Sequence, residues 1–432
     1  MIVAALAPVG RPATSSAGTA ANIDPAVQQA LDRAAPTADI DVIVVLRAQA
    51  ALPSAPAVDR RARLAATIKA LHELADADQR RLLTLLATRR REGRVSQVRP
   101  YWIFNGLEVV ARPDVIREIA ALPEVATVRP NATVRAPSAP TDVGAAEWNV
   151  ARVNAPALWS LGYRGQGVVV GTMDTGVDVT HPDLSSHWRG GSNSWFDPNG
   201  QHPTTPTDVS GHGTWTMGAM VGGDAGGTSI GIAPDARWIA VKIFNDRGTA
   251  TTAGIHAGFQ WLLDPDRDPA TADAPDVVVD SWTFANGGCD LSFQPDLRNL
   301  RAAGILPVFA AGNGGPLGGT SFSPGNNPEA FAVGGTDADD VIDSSSSRGP
   351  SACDQGTYPQ LVAPGVDVRT TDLYGLYTWV TGTSIAAPQV GGALALLLGA
   401  LPGSDADRQA AARERGAVDA GAPGLDNDYG VG

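Results

Sequence analysis

Residues 168–176 read VVVGTMDTG, and this stretch decides the fold. Its apolar run lacks the alternation of a strand that faces water on one side, so it predicts a strand buried on both faces. Similar runs occur at 238–244, 276–282, 305–313 and 330–336, and helical patterns lie between several of them, at 212–222, 251–263 and 294–303. Buried strands that alternate with helices predict a three-layer α/β domain with a mostly parallel central sheet.

Three polar residues stand where such a sheet would bind a ligand. Asp174 ends the first strand, His212 lies between two glycines at a predicted helix start, and Asn313 ends the fourth apolar run. Sites in parallel sheets lie beyond the carboxyl ends of the strands. Each residue also has a structural interpretation, as an Asx turn, a surface loop histidine or a turn asparagine. Their combination favours chemistry.

The tetrapeptide Gly-Thr-Ser-Ile occurs twice, with Ser229 and with Ser384. Ser229 fits the pattern G-x-S-x-G, but it lacks the preceding strand and following helix that a nucleophile elbow needs. Ser384 opens an Ala/Leu/Gly-rich helix predicted over 384–399, where unpaired N–H groups favour an oxyanion. The order Asp174, His212, Ser384 is one of the known orders of an acid–base–nucleophile constellation. We therefore predict Ser384 as the nucleophile and Ser229 as a loop residue.

Four motifs carry a resemblance to a known family. The segments DTGVDVTHPDL, GHGTW, AAGN and GTSIAAP closely resemble the signatures of the subtilisin-like serine peptidases, over about residues 150–432, and the surrounding sequence resembles the bacillopeptidase F branch. The resemblance implies a secreted serine endopeptidase with Ser384 as nucleophile, His212 as general base and Asp174 as the group that orients it. Asn313 and the Ser384 N–H would form the oxyanion hole.

The resemblance also implies where substrates and ions bind. A protein or peptide substrate would lie as an extended strand beside Ser281, Trp282 and Thr283, with Ala310, Ala311 and Gly312 lining the primary pocket. The reaction would require no cofactor. Asp183 matches a calcium-binding carboxylate of the family, and the calcium loop maps to 223–229, so a structural calcium ion is implied.

The sequence departs from the family pattern at several positions. Thr283 and Phe284 stand where the family has glycine, so we expect a narrower substrate groove. Trp215 replaces a second histidine, so we expect altered packing without loss of catalysis. The family continues beyond the point where this chain ends, at Gly432, so the peptidase domain is interpreted as truncated there.

The region before the peptidase motifs has its own pattern. It predicts a strand at 40–47, a long helix over 57–92, a hairpin around Asn105-Gly106, a short helix from Pro113 and a final strand at 125–130. This β-α-β-β-α-β order is that of a small ferredoxin-like α+β domain, and it resembles the family's inhibitor-type propeptide. We divide the chain into an export-signal remnant (1–22), the propeptide domain (23–135), a linker with the processing site (136–149) and the peptidase domain (150–432).

Charge and composition limit the partners. The net charge is −13, to which residues 24–135 contribute about +4, residues 136–432 about −18 and Arg11 the remaining +1, so the two larger parts should attract each other. The acidic part would be repelled by nucleic acid. The sequence contains no run of 18 or more apolar residues, so no membrane span is expected. The two cysteines, Cys289 and Cys353, lack metal-site spacing and are interpreted either as a disulfide or as two buried thiols.

Two other functions remain open at this point. A catalytically impaired binding or scaffold protein could use the same fold, and the departures at Trp215 and Thr283 support it. A Ser-Glu-Asp peptidase of the sedolisin type shares a Gly-Thr-Ser serine, but it would need a glutamate base in place of His212.

Overall fold

The computed structural model describes residues 22–52, 60–135 and 147–432. Its first part, the N-terminal unit (22–135), is a five-stranded sheet with strand order β1-β5-β2-β4-β3. Strands β1 and β5 are parallel, and the other neighbours are antiparallel. The strands are β1 (Asn22–Ile23), β2 (Ile40–Leu46), β3 (Val95–Tyr101), β4 (Gly106–Ala111) and β5 (Val125–Pro130). The helices are α1 (Pro25–Arg33), α2 (Arg60–Asp78), α3 (Arg80–Arg91) and α4 (Pro113–Ala120).

This unit confirms the predicted β-α-β-β-α-β order and adds two features. Strand β1 and helix α1 precede the pattern; the sequence analysis missed α1, although Asp24 caps it, Pro25 begins it, and its buried residues Val27 and Leu31 lie four positions apart. The predicted long helix is interrupted at Gln79, whose buried amide donates to the Tyr101 carbonyl at 2.8 Å and to Asn105 Oδ1 at 3.0 Å. The interruption therefore fastens the helical layer to the turn between β3 and β4.

The chain that leaves this unit pairs with the next domain. Strand β6 (Thr133–Arg135) is antiparallel to β10 (Thr249–Thr251), with Val134 opposite Ala250. The sequence analysis ended the last strand of the unit at residue 130 and predicted no strand here, because a three-residue strand whose partner lies more than a hundred residues away leaves no local pattern. The predicted processing segment, 136–149, lies outside the described residues except for its last three.

The C-terminal domain (147–432) contains a seven-stranded sheet with strand order β14-β13-β12-β11-β7-β9-β8, in which all neighbours are parallel. Its strands are β7 (Val169–Asp174), β8 (Trp195–Phe196), β9 (Arg237–Lys242), β11 (Val277–Asp280), β12 (Pro307–Ala310), β13 (Phe331–Thr336) and β14 (Leu361–Pro364). An antiparallel ribbon is formed by β15 (Val368–Thr371) and β16 (Tyr377–Val380). The predicted three-layer α/β architecture is thereby confirmed.

Helices cover both faces of this sheet. They are α5 (Trp148–Arg152), α6 (Ala155–Ser160), α7 (Pro182–Ser185), α8 (His212–Val221), α9 (Thr252–Leu263), α10 (Gln294–Ala302), α11 (Thr383–Ala400) and α12 (Ala406–Gly416). One face packs on α8 and α11, and the other packs on α9 and α10. Among the described helices only α11 is long and apolar enough to cross a membrane, and 83% of it is buried, which makes it a core helix.

The two units share part of their core. The N-terminal unit has its own apolar cluster on one side of its sheet. On the other side, the hairpin tip (Tyr101–Asn105) packs against α9 and α10. There the Tyr101 hydroxyl donates to the Ala253 carbonyl at 3.0 Å, and the Trp102 N–H donates to Gln260 Oε1 at 2.9 Å. The N-terminal unit therefore covers the face of the domain formed by α9 and α10.

Candidate active site

Asp174 and His212 meet at the carboxyl edge of the parallel sheet. Asp174 is the last residue of β7, and His212 is the first residue of α8. His212 Nδ1 lies 2.8 Å from Asp174 Oδ1 and 3.0 Å from Oδ2, and both residues are almost fully buried. The glycine after the histidine is required, because a Cβ at Gly213 would lie 2.1 Å from the Gly176 carbonyl oxygen. This close approach holds the start of α8 against the end of β7.

The electrostatics of His212 follow from that contact. Burial opposes the charged imidazolium, but the Asp174 carboxylate, helped by Asp208, outweighs burial and raises the pKa of His212 above its ordinary value. The other ring nitrogen, Nε2, is buried and has no hydrogen-bond partner among the described residues. One nitrogen is therefore fixed by a carboxylate, and the other is free to accept a proton.

Ser384 is the second residue of the buried helix α11, which begins at the same edge. Helices α8 and α11 pack side by side, since a Cβ at Gly391 would lie 3.0 Å from Met220 Sδ. Each of these two residues is eight positions beyond the first residue of its helix. Near the helix starts, Ile385 shares an apolar cluster with Trp215. The helices therefore run parallel, and their first turns, with His212 and Ser384, lie at one end.

The hydrogen-bond partner of the Ser384 hydroxyl in this structure is Ser281 and not His212. The Ser384 hydroxyl donates to the Ser281 carbonyl at 3.3 Å, while the Ser281 hydroxyl donates to the Ser384 carbonyl at 2.8 Å. No hydrogen bond joins Ser384 to His212 among the described contacts. Catalytic hydrogen bonds of free enzymes are often long and tighten only with substrate. The exchange with Ser281 ties the start of α11 to the segment after β11.

Asn313 presents its amide to the same site. It lies three residues after β12 and is exposed. Its Oδ1 accepts from the Thr383 N–H and the Thr383 hydroxyl, both at 3.0 Å. These bonds direct the Nδ2 group toward Gly382, where a Cβ would lie 3.4 Å from it. The amide is thus oriented with its donor side available next to Ser384.

The residues expected to contact substrate are only partly accessible. The Trp282 side chain is fully buried against Phe293 and Phe309, so only the backbone of this residue is left to pair with an extended substrate, and that role stays a prediction. The Ala310 and Ala311 side chains also point into the core. The strand pattern explains this, because a residue at the end of a doubly buried strand packs against one helical layer. Ser281 and Gly312 are buried as well, so Thr283 and backbone groups remain to line a groove.

The two cysteines are joined in this structure. A disulfide connects Cys289 with Cys353 and closes a loop with a sequence separation of 64. The bridge links the segment after Phe284 to a loop that packs against residues 321–327 through Ser321 and Asn326. It therefore stabilises the outer wall of the groove.

The donors around Asp183 do not fit the calcium site that the resemblance implies. Asp183 is buried, its Oδ1 accepts from the Ala225 N–H at 2.7 Å, and its Oδ2 accepts from the Tyr377 hydroxyl at 2.6 Å. In the loop 223–229, the Gly226 carbonyl and the Thr228 hydroxyl instead accept from Arg369. Oxygen atoms suited to a cation are thus already engaged by protein donors.

Two buried acids near the sheet edge were not predicted. Asp280 lacks a well-formed hydrogen bond, and burial together with the charge of Asp174 raises its pKa well above the ordinary value. Asp296 lies on α10 and bonds to His256 on α9, with Oδ2 at 2.9 Å from Nδ1. The apolar sequence before Asp280 could have marked it as buried, whereas the pairing of His256 with Asp296 had no local signal.

Comparison with known proteins gives consistent matches. Residues 165–432 match the model of the Subtilase family. The chain is 36% identical to bacillopeptidase F of Bacillus subtilis (strain 168) over 366 residues, which cover 77% of this chain and 25% of that protein. It is 33% identical to subtilisin E of the same strain over 257 residues, covering 59% of this chain and 61% of subtilisin E. The chain therefore spans a quarter of one relative and less than two thirds of the other.

A third relative shows a similar match. The chain is 31% identical to an alkaline protease of Alkalihalobacillus alcalophilus over 291 residues, which cover 67% of this chain and 68% of that protein. The bacillopeptidase F match covers more of this chain than residues 150–432 contain, so that similarity extends into the N-terminal unit.

Proposed function

This chain belongs to the subtilase family of serine endopeptidases, and from that premise we propose that it cleaves peptide bonds with Asp174, His212 and Ser384. One observation carries the proposal: the buried bond between Asp174 and His212, with Nε2 left free at the edge where α11 begins. His72 Nε2 is also buried without a hydrogen-bond partner, but only His212 combines such a nitrogen with a carboxylate partner at the edge where Ser384 and Asn313 lie.

The chemistry follows from these positions. Ser384 Oγ attacks the substrate carbonyl carbon while its proton moves to His212 Nε2, and Asp174 stabilises the imidazolium that forms. The Asn313 amide and the Ser384 N–H donate to the oxyanion. The tetrahedral intermediate collapses as His212 returns the proton to the leaving amine, which leaves an acyl-enzyme. Water, deprotonated by His212, then releases the acid and restores the Ser384 hydroxyl.

We propose protein or peptide substrates that bind in extended form. The backbone of 281–283 follows the buried strand β11 and offers an edge to which a peptide can add. Thr283 is partly exposed there, so its side chain narrows the groove relative to glycine.

We propose that the N-terminal unit is a propeptide that templates folding and inhibits the peptidase until it is cut. The hairpin tip packs on α9 and α10, and β6 pairs with β10, which gives the unit two attachments to the domain. Its positive charge complements the acidic domain. The cut would fall between residues 130 and 147. The Cys289–Cys353 bridge supports a secreted location, because disulfides persist in oxidising compartments.

Subtilases need no cofactor for this reaction. A structural calcium ion remains a proposal, and Asp183 offers it no free donor set. Within the described residues, Asp264, Asp266 and Asp273 bring carboxylate oxygens within 4.8 Å of one another. Calcium titration of the full chain and of Asp266→Asn decides whether this cluster binds the ion.

The experiment that tests the function uses the repeated tetrapeptide as its own control. We expect the full chain to hydrolyse casein at pH 8, to lose activity to a serine-directed phosphonate, and to process itself in a time course on a gel. Ser384→Ala should abolish all three, and Ser229→Ala should leave them unchanged. Absence of hydrolysis by a folded wild type would favour a binding or scaffold protein, and an optimum near pH 4 would favour a sedolisin-type mechanism.

A further inference from the structure

The ring of Phe322 lies against both neighbours of the oxyanion residue Asn313. A Cβ atom added to Gly312 would lie 2.7 Å from the Phe322 ring, and one added to Gly314 would lie 2.6 Å from it. On the other side, a Cβ at Gly287 would lie 3.9 Å from the same ring. Phe322 therefore lies between the segment 310–314 and the segment that follows Thr283.

The backbone holds Phe322 in this position. The Phe284 N–H donates to the Ser323 carbonyl at 2.9 Å, and the Gly288 N–H donates to the Ser321 carbonyl at 3.2 Å, so the residues on both sides of Phe322 pair with the groove wall. The Phe322 carbonyl accepts from the Asn326 N–H at 3.0 Å. The ring is half-buried, with part of its surface left accessible. It is a fixed part of the wall.

Its location limits what fits beside the scissile bond. The carbonyl under attack must place its oxygen at Asn313 Nδ2, and the side chain on the acyl side of the bond is attached to the adjacent carbon. That side chain must therefore enter the space next to Gly312, within a few ångströms of the oxyanion site. The Phe322 ring already fills the inner end of this space, next to Gly312.

We propose that Phe322 sets the specificity of the peptidase by shortening its primary pocket, so that small residues such as alanine are preferred over aromatic residues on the acyl side of the cut. The proposal rests on the proposed peptidase function. Ala310 and Ala311 are buried and cannot contact the substrate side chain. Phe322, in the Gly/Ser-rich segment 318–325, would therefore decide which substrate side chains fit.

Two chromogenic peptides test the proposal: succinyl-Ala-Ala-Pro-Ala-p-nitroanilide and its Ala-Ala-Pro-Phe counterpart. We measure kcat/KM for both with the full chain, counting active sites with a phosphonate. Wild type should prefer the alanine peptide. Phe322→Ala should shift the ratio toward the phenylalanine peptide by roughly 10- to 200-fold, the range that small changes in pocket size produce. Phe322→Leu, which preserves folding better, should shift it less in the same direction.

Phe196→Ala provides a matched control, because Phe196 is a partly buried phenylalanine on β8 at the far edge of the sheet, and its removal should leave the ratio unchanged. An unchanged ratio in active Phe322 variants, or a wild type that prefers the phenylalanine peptide, overturns the proposal while the peptidase function stands. Failure to cleave either peptide overturns both.

A second observation concerns Arg369, at the place where the family resemblance implied calcium. Its guanidinium donates to Glu147 Oε1 at 2.8 Å, to the Thr228 hydroxyl at 2.7 Å and to the Gly226 carbonyl at 3.2 Å. It lies 4.6 Å above the Tyr377 ring, and the Tyr377 hydroxyl donates to Asp183. Both Arg369 and Glu147 are largely buried, with 14% and 12% of their side chains exposed.

We infer that Arg369 is a fixed internal cation that holds the loop 223–229 and the start of the domain together, in the structural role of a bound calcium ion. Thermal unfolding of the full chain with EDTA or CaCl2 tests this. Arg369→Ala should lower Tm by several degrees. Arg369→Lys keeps the charge but loses the planar guanidinium, so its Tm should lie between those of Arg369→Ala and the wild type. Asp183→Asn should leave the calcium response of Tm unchanged. A calcium-induced rise in Tm that disappears in Asp183→Asn overturns the inference.

Discussion

Two buried aspartate–histidine pairs lie among the residues that the structure describes, and only one of them lies beside the proposed nucleophile. Asp174 with His212 and Asp296 with His256 have nearly the same geometry, with carboxylate–Nδ1 distances of 2.8 and 2.9 Å, and all four side chains are at most 4% exposed. His256, however, is stacked on Phe104 of the hairpin tip, with ring centroids 4.2 Å apart, and it faces Phe293 at 4.9 Å.

The difference lies in what surrounds the second ring nitrogen. His212 stands at the first turn of α8, beside the first turn of α11 with its serine and near the Asn313 amide. His256 stands within α9, among aromatic rings contributed by two units. A buried carboxylate–imidazole bond is therefore not sufficient for a catalytic base; a nucleophile and an oxyanion donor must meet the same imidazole.

The largest test of this comparison removes each imidazole in turn. His212→Gln should lower kcat by about 10⁶-fold, the size expected when one member of a triad acts as a unit with the others. His256→Gln, the matched variant, should change kcat by less than tenfold. Casein and peptide hydrolysis by both proteins, normalised to folded protein, measures this. Comparable losses from the two variants would mean that the second pair also serves catalysis.

The two carboxylates should differ by a smaller factor. Asp174→Asn should lower kcat by about 10⁴-fold, because the amide favours the wrong imidazole tautomer. Asp296→Asn should leave kcat within a few-fold and lower the free energy of unfolding by about 1–3 kcal/mol, the cost of impairing a buried polar contact. Urea unfolding and peptide hydrolysis together separate these effects. An Asp296 variant with normal stability would show that its bond to His256 is dispensable.

The oxyanion donor has no counterpart at the second pair, and its loss should cost less than either triad change. Asn313→Ala should lower kcat by about 10²–10³-fold with little change in KM, because the amide acts on charge that develops in the transition state. Asn299→Ala is the control, since that amide binds the Ile103 carbonyl in the interface with the hairpin tip. A rise in KM at unchanged kcat in Asn313→Ala would contradict the assigned role.

The smallest effect concerns pH. Burial disfavours the His212 imidazolium, but Asp174 and Asp208 raise its pKa above the ordinary value near 6.5. Because the reaction needs the neutral imidazole, kcat/KM should fall as pH falls through this raised pKa, at a higher pH than for an unperturbed histidine. Asp208→Asn should move the midpoint to lower pH, whereas Asp296→Asn should not move it. A profile that Asp208→Asn leaves unchanged would argue against this electrostatic account.

Local pattern was enough for the elements that position the triad. The apolar runs that end at Asp174 and Asn313 predicted β7 and β12, because a strand buried on both faces consists almost entirely of apolar residues. The glycines around His212 marked the start of α8, because the backbone there lies close to the end of β7 and leaves no room for side chains. The Ala/Leu/Gly-rich run that follows Ser384 likewise predicted the buried helix α11.

What the sequence could not show depends on partners far apart in the chain. Tyr377 satisfies Asp183 from 194 positions away, and His256 meets Asp296 across two helices. Phe322 lies in a stretch of glycine, serine and proline that has no periodicity, so only the packed structure shows that its ring contacts the neighbours of Asn313. The apolar run 276–282 predicted a buried segment that includes Trp282, but it did not show that the Trp282 ring contacts Phe293 and Phe309.

For the proposed self-processing, the pairing of β6 with β10 predicts how the rate depends on protein concentration. Arg135 is fixed to the domain by that pairing, and Glu147 is fixed to it by Arg369, so the chain between them is tethered at both ends. Twelve peptide steps reach at most about 40 Å, and both ends of the proposed processing segment are attached to the domain that carries Ser384, so we expect the cut to be made within one molecule. Self-processing within one molecule is a first-order reaction, so its half-time should be the same in dilute and in concentrated solutions of the protein.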